Sequence, residues 1–236
     1  MNLLQIPTTA YDTLQQMGQQ VTTTVETPET AINAFDLALK GGWLMIVLFV
    51  MLLLSIYVLI ERILVIRSAG KEDDSFMNRI KDYIHEGKIE SALALCRKTN
   101  TPAARMVEKG ITRLGRPMSD ITEAIENVGN IEIAKLEKGL PILATTAAGA
   151  PMIGFLGTVT GMVKAFMSMA SAGVNVNVSI LSTGIYEALI TTVGGLIVGI
   201  IALFAYNYLT TQIKGIVNRM EMRIMEFMDI LNEPAI

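Results

Sequence analysis

Five threonines are candidates for chemistry among those in the long stretches of the chain that carry almost no charge. They are Thr145, Thr146, Thr158, Thr191 and Thr192. A threonine hydroxyl can orient water or hydrogen-bond a carboxylate, but it does not titrate near neutral pH. If protons cross a membrane beside these side chains, the carboxylate that binds and releases the protons should therefore come from another chain.

The spacing of charged residues predicts three membrane spans. Between Lys138 and Glu187 the only charge is Lys164, and residues 188–213 carry none. Residues 43–60 are also uncharged and are rich in Leu, Val and Met. A helix needs about 20 mostly apolar residues to cross a hydrocarbon layer of roughly 30 Å. We therefore predict an all-α membrane protein with long helical extensions, in which spans one, two and three cover 42–61, 142–167 and 184–208.

The basic residues predict how these spans are oriented. Of the 19 Lys and Arg, 14 lie from Arg62 to Lys138, and none lies in the short loop between spans two and three. Because basic residues stay on the cytoplasmic side, we expect the N-terminus outside and the C-terminus inside. The remaining predicted parts are an outer segment 1–41, a cytoplasmic helical subdomain 62–141, an outer loop 168–183 and a cytoplasmic C-terminal helix 209–236.

Several function classes are excluded by composition. The net charge is only −3, and the basic residues between spans one and two are interleaved with 12 acids, so no nucleic-acid partner is expected. The chain has one cysteine, Cys96, and one histidine, His85. They provide neither a disulfide framework nor a metal site, and no cofactor is expected. Because no Ser/His/Asp set, metal cluster or phosphate-binding glycine loop occurs in the soluble part, the chain is not predicted to be an enzyme.

Spans two and three each have one helical face of small residues. The residues that we assign to helix packing are Pro151, Gly154, Gly157, Gly161, Gly195 and Gly199. Small residues let helix backbones approach closely inside a membrane. Two interpretations follow. The faces pack against each other, which the spacing alone favours, or in an oligomer they line a central cavity where Thr158, Thr191 or Thr192, and Thr145 or Thr146 face a partner helix.

Two ionisable side chains lie near the outer ends of these spans. Glu187 is three residues into span three, and Lys164 is near the end of span two. An ionisable group in a membrane is a functional candidate, yet each could instead extend to the interface. Neither lies at mid-depth.

The soluble part is predicted to be helical. We expect Thr101-Pro102 to start one helix, Ser119 to cap a long one, and Pro141 to mark the point where that helix enters the membrane with a kink. After span three, an apolar stripe at helical spacing predicts that the helix continues into the cytoplasm. The stripe consists of Ile213, Ile216, Val217, Met220, Ile224, Phe227 and Leu231.

Two sequence blocks carry a family resemblance. Residues 143–166 read LATTAAGAPMIGFLGTVTGMVKAF, and residues 184–196 read GIYEALITTVGGL. Both resemble the signature of the MotA/TolQ/ExbB proton channel family, and the match is closest to its ExbB and TolQ members. The resemblance covers about residues 40–232. Gly149, Thr160 and Lys164 depart from the usual family residues.

The resemblance implies a pentamer in the bacterial inner membrane with a periplasmic N-terminus. Its pore would hold two single spans of an ExbD-like subunit, whose membrane Asp binds the proton. Passage of protons would then power a TonB-like or TolA-like protein that reaches the outer membrane. The family's pore threonines correspond to Thr158 and Thr192, and its outer glutamate corresponds to Glu187. A TolQ-like role in outer-membrane maintenance and a non-conducting helical membrane scaffold are the alternatives.

Overall fold

Seven α-helices make up the described part of the chain. The computed structural model describes residues 42–71, 75–171 and 178–232. No strand occurs in these ranges, which confirms the predicted all-α class. The predicted outer segment 1–41 and residues 172–177 of the predicted outer loop lie outside them. The helices are α1 (Gly42–Ala69), α2 (Phe76–His85), α3 (Ile89–Thr99), α4 (Pro102–Ile111), α5 (Met118–Glu137), α6 (Leu140–Ser171) and α7 (Val178–Asn232).

Three of these helices are long and apolar enough to cross a membrane, namely α1, α6 and α7. They contain the predicted spans one, two and three. α1 exposes large apolar side chains on most of its surface, among them Phe49, Leu53 and Tyr57, as expected of a helix that faces lipid. α7 has 55 residues and is therefore roughly 80 Å long. Span three and the C-terminal helix are thus one continuous element.

The C-terminal half of α7 belongs to a core that it shares with the shorter helices. Phe227 is fully buried together with Phe76 of α2 and Val107 of α4. Gly110 lies against the Phe227 ring so closely that a methyl group there would collide with it. In the predicted stripe, every residue is buried or partly buried in this core, which confirms the stripe. Helices α2 and α4 are therefore packed onto the same helix that contains span three.

The connection between α5 and α6 differs from the sequence-based prediction. Instead of one helix kinked at Pro141, α5 ends at Glu137, and α6 begins at Leu140 with Pro141 in its first turn. Gly139 between them has a φ of +89°, a conformation that L side chains rarely adopt. The predicted cap at Ser119 is also wrong, because Pro117 occupies the N-cap position and α5 begins at Met118. Thr101 does cap α4, accepting a 3.3 Å hydrogen bond from the Ala104 amide.

A charged network holds the inner end of α1 against α5. Arg62 is only 5% exposed and donates a 3.0 Å hydrogen bond to the Lys135 carbonyl oxygen. Glu132 is buried and accepts hydrogen bonds from Arg105 and Lys135. Burial on its own raises the pKa of Glu132, but these two cations outweigh it and hold the pKa below its ordinary value. The buried carboxylate is therefore stabilised in its charged form.

Candidate functional site in the paired membrane helices

The small faces of α6 and α7 meet backbone to backbone along their length. A methyl group at Gly195 would lie 2.5 Å from the Ala150 carbonyl oxygen and 2.8 Å from the Gly154 Cα. One at Gly161 would lie 2.9 Å from the Ala188 Cβ. Such distances leave no room for a side chain. We call this contact the α6–α7 seam; it contains Pro151, Gly154, Gly157 and Gly161 of α6 and Ala188, Gly195 and Gly199 of α7.

Pro151 gives the seam a second feature. Proline has no amide hydrogen and cannot donate to the carbonyl oxygen of residue 147, four positions earlier. A methyl group at Gly199 would lie 2.6 Å from the Pro151 Cγ and 3.2 Å from that carbonyl oxygen. Gly199 thus lets α7 pass directly over the proline ring and the Ala147 carbonyl group.

Thr158 and Thr192 are hydrogen-bonded to each other across the seam. Their hydroxyl oxygens are 2.6 Å apart, and either can be the donor. The Thr192 hydroxyl also donates to the Gly154 carbonyl oxygen at 3.0 Å, and the Thr158 hydroxyl lies 3.4 Å from the same oxygen. The Thr192 hydroxyl is also 3.5 Å from the Ala188 carbonyl oxygen, so both hydroxyl protons have acceptors within the chain. The direction of this short chain can reverse without any change of backbone.

This pair lies on the side of the seam away from α1. Gly157 and Thr191 line a cavity with Trp43 and Leu44, so their side of the seam is covered by α1. Thr158 directly follows Gly157, and Thr192 directly follows Thr191. One position along a helix is a rotation of about 100° around its axis. Both threonines are partly exposed. We call their side the open edge; the exposed residues Phe155, Leu189 and Leu196 flank the pair there at helical spacing.

The other three candidate threonines are not part of the open edge. Thr191 is buried and donates to the Ala188 carbonyl oxygen at 2.8 Å. Thr146 is buried and donates to the Ile142 carbonyl oxygen at 2.9 Å. Thr145 is exposed and lies about half a turn around α6 from Thr158. The structure therefore brings together two of the five threonines that the sequence singled out.

Glu187 and Lys164 both lie on the α1 side of the seam, at the end that is predicted to be the outer one. They line a cavity of about 10 Å³ with Trp43, Thr160 and Thr191, which is roughly room for one water molecule. The Glu187 carboxylate also lies against Gly42, where a methyl group would collide with it. Sequence reasoning noted both charges but not this association. Lys164 lies seven residues after Gly157, and Glu187 lies four residues before Thr191. These spacings place each charged residue on the same helix face as Gly157 or Thr191, which was the signal for the association in the sequence.

No acid is available at mid-depth in the membrane. Residues 43–60, 140–171 and 188–213 contain no Asp or Glu. Across the ranges that the structure describes, no group of three or more His, Cys, Asp or Glu is placed to hold a metal ion. Cys96 is buried in the core of the shorter helices, where burial first and Glu108 second raise its pKa to about 12. The open edge can thus donate and accept hydrogen bonds but cannot itself take up a proton.

A profile of the MotA/TolQ/ExbB proton channel family matches residues 98–222. The Tol-Pal system protein TolQ of Haemophilus influenzae is 32% identical over 219 residues, which cover 86% of this chain and 96% of that protein. A putative biopolymer transport protein ExbB homolog of Methanothermobacter thermautotrophicus is 31% identical over 143 residues, 61% of this chain and 50% of that protein. The biopolymer transport protein ExbB of Xanthomonas campestris is 36% identical over 88 residues, 37% of this chain and 34% of that protein.

Proposed function

Because the chain belongs to the MotA/TolQ/ExbB proton channel family, we propose that it is the channel-forming subunit of an inner-membrane assembly that converts proton motive force into mechanical work. The family consists of membrane channel subunits and is not an enzyme family. In our proposal the chain forms a pentamer with the N-terminus in the periplasm. Its single-span partner resembles ExbD, and the work is done on a TonB-like protein for outer-membrane transport.

The observation that carries this proposal is the Thr158–Thr192 pair at the open edge. Two hydroxyl groups with a reversible hydrogen-bond direction suit a site beside a carboxylate that is alternately protonated and charged. The uncharged spans supply no such carboxylate themselves. We therefore assign the proton-binding acid to an Asp in the membrane helix of the ExbD-like partner, which contacts the open edge. Two copies of that helix in the pore, surrounded by lipid-facing α1 helices, complete the proposed assembly.

Proton flux in liposomes tests the division of labour between the two chains. The purified protein alone should conduct protons poorly, and adding the single-span partner should confer flux. Changing the partner's membrane Asp to Asn should abolish that flux because an amide cannot release a proton. Equal flux with and without the partner would overturn the proposal. Intact assembly without flux under any condition would favour a non-conducting scaffold.

Glu187 is the competing proton-binding group, so its substitution separates the two mechanisms. Its carboxylate lies on the α1 side of the seam with Lys164, and Thr158 and Thr192 lie on the open edge. Glu187→Gln should therefore reduce flux but leave it measurable. Complete loss in Glu187→Gln, together with flux in the partner's Asp→Asn variant, would move the proton-binding role to Glu187.

A TolQ-like role in outer-membrane maintenance is the second candidate. It is favoured by the alignment with the Haemophilus influenzae TolQ, which spans 96% of that protein, whereas the alignment with the Xanthomonas campestris ExbB spans 34%. Expression in bacteria that lack ExbB or TolQ discriminates between the two roles. Restored outer-membrane transport supports the TonB-linked role, and restored detergent resistance alone supports the TolQ-like role.

A further inference from the structure

A cavity of about 210 Å³ lies where α5, α6 and the inner part of α7 meet. The Thr210 hydroxyl oxygen at this cavity is buried and has no hydrogen-bond partner within the described residues. The adjacent Thr211 hydroxyl, in contrast, donates to the Asn207 carbonyl oxygen at 2.9 Å. A buried hydroxyl without a partner is destabilising unless water reaches it. The cavity is lined by Ile133, Glu137, Leu140, Thr210, Ile213, Lys214, Val217 and Asn218.

The register of α7 relates this cavity to the open edge. Thr210 follows Thr192 by 18 residues, which is five turns of an α-helix, so both lie on the same face of α7, roughly 27 Å apart along the axis. The intervening positions at helical spacing include Gly199 of the seam and the exposed Leu203. The hydroxyl at the cavity is therefore aligned with the hydroxyl pair in the membrane.

The polar groups of the cavity have the chemistry of a water-filled opening. Glu137 and Lys214 are exposed and of opposite charge, and Asn218 adds an amide. A carboxylate accepts hydrogen bonds from water and can receive a proton from it, whereas the ammonium group of Lys214 repels other cations. The apolar residues Ile133, Leu140 and Val217 form the remaining wall. Among the described residues that line this cavity, Glu137 is the acid.

We propose that this cavity is the inner opening of the proton path. Water in it hydrogen-bonds the Thr210 hydroxyl, and Glu137 accepts protons that arrive along the open edge and releases them to the cytoplasm. Lys214 disfavours entry of metal cations. This inference rests on the proposed channel function. Glu137 is assigned a proton-accepting role at the exit only, so the acid at mid-depth is still the partner's.

Cysteine accessibility tests for water independently of proton flux. In a Cys96→Ala background, Thr210→Cys and Ala205→Cys are each assembled with the single-span partner in liposomes and treated with 2-aminoethyl methanethiosulfonate. Ala205 is a buried apolar control on the same helix. Because thiol reactivity requires a solvated thiolate, Thr210→Cys should react at least about tenfold faster than Ala205→Cys. Modification of Thr210→Cys should also lower proton flux, since the added group is positively charged and occupies the cavity.

Substitution of Glu137 tests the role of the carboxylate. Glu137→Gln should lower flux by about tenfold, less than the roughly 100-fold typical of a positioned base because water can also accept the proton. Glu137→Asp should restore most of the flux. Glu123→Gln is the control, since Glu123 is an exposed acid on α5 near its other end.

Two results would overturn the inference while leaving the channel function intact. One is that the parent complex conducts protons normally while Thr210→Cys reacts with the thiol reagent as slowly as Ala205→Cys. The other is unchanged flux in Glu137→Gln. Absence of flux in the unsubstituted complex would instead overturn the channel function and the exit role together.

Discussion

The two hydroxyl groups of Thr158 and Thr192 matter through their protons rather than through their size. Both hydroxyl protons have acceptors inside the chain. A partner carboxylate can therefore accept a hydrogen bond from either hydroxyl only by displacing one of these internal hydrogen bonds. Losing a hydroxyl leaves buried polar groups less well paired, at a cost of about 1–3 kcal/mol. The site is therefore sensitive to the loss of a single oxygen atom.

Substitution of these threonines should separate conduction from assembly. Thr158→Ala and Thr192→Val should abolish proton-driven work, whereas Thr158→Ser and Thr192→Ser, which keep the hydroxyl, should retain most of it. Oligomer size in detergent and proton flux in liposomes measure the two properties. Full activity of both the Ala and the Val variant would contradict the assignment.

At Glu132 the depressed pKa makes stability depend on pH. A carboxyl group whose pKa is lower in the folded than in the unfolded state stabilises the fold above its unfolded pKa, about 4.3, and that contribution is lost as the pH falls through the folded pKa. Thermal unfolding in detergent should therefore occur at lower temperature as the pH is reduced below about 5.

Glu132→Gln should remove part of this dependence. We expect the variant to be less stable than the parent at pH 7 by about 1–3 kcal/mol, because Arg105 and Lys135 lose a charged acceptor. Its unfolding temperature should fall less steeply with acid. Glu126→Gln, at an exposed position of the same helix, is the control and should follow the parent. Parallel acid profiles of parent and Glu132→Gln would contradict the role of this carboxylate.

At the scale of elements, the α6–α7 seam depends on missing side chains. Gly195→Leu would place atoms against the Ala150 carbonyl oxygen and the Gly154 Cα, and neither can move without displacing a helix. We expect loss of the native oligomer in detergent for this variant and for Gly157→Leu. Gly215→Leu is a matched control on α7, since nothing lies within 4 Å of a methyl group there. Native oligomer size in both seam variants would show that the seam is not required for assembly.

The sequence predicted the elements better than their ends and contacts. Long uncharged stretches predicted three spans because hydrocarbon excludes charge whatever the tertiary structure. The break at Gly139 was missed because a glycine two residues before a proline is compatible with either a kinked helix or a turn. The structure shows a positive φ at Gly139 and close packing on Val58, where a methyl group would lie 3.1 Å from the Cγ1.

The candidate site shows the same limit. Helical spacing predicted that Thr158 and Thr192 lie on the small faces, and the resemblance selected them from five threonines. Their direct hydrogen bond, and the placement of Glu187 on the opposite side with α1, depend on how the helices are rotated about their axes. That rotation is fixed by contacts such as Leu48 with Ala150 and Val198, which a single sequence does not specify.

At the scale of the whole molecule, orientation in the membrane is the property that the proposed function requires. In a Cys96→Ala background, Ser171→Cys at the predicted outer end of α6 should react with a membrane-impermeant maleimide in sealed right-side-out vesicles. Ser91→Cys on α3, which is predicted to be cytoplasmic, should react only after permeabilisation. Both serines are exposed, so access by the reagent depends on the side of the membrane. The reverse pattern would contradict the predicted N-out, C-in arrangement.

The continuous helix α7 can convert a small change of angle at one end into a larger displacement at the other end. It contains no proline, the residue that most often kinks a helix, and its buried Phe227 packs its C-terminal end against α2 and α4. Over a length of roughly 80 Å, a tilt of about 5° at its N-terminal end moves its C-terminal end by about 7 Å. A small change of angle in the span-three part of α7 therefore becomes a displacement of several ångströms among the helices that pack on Phe227.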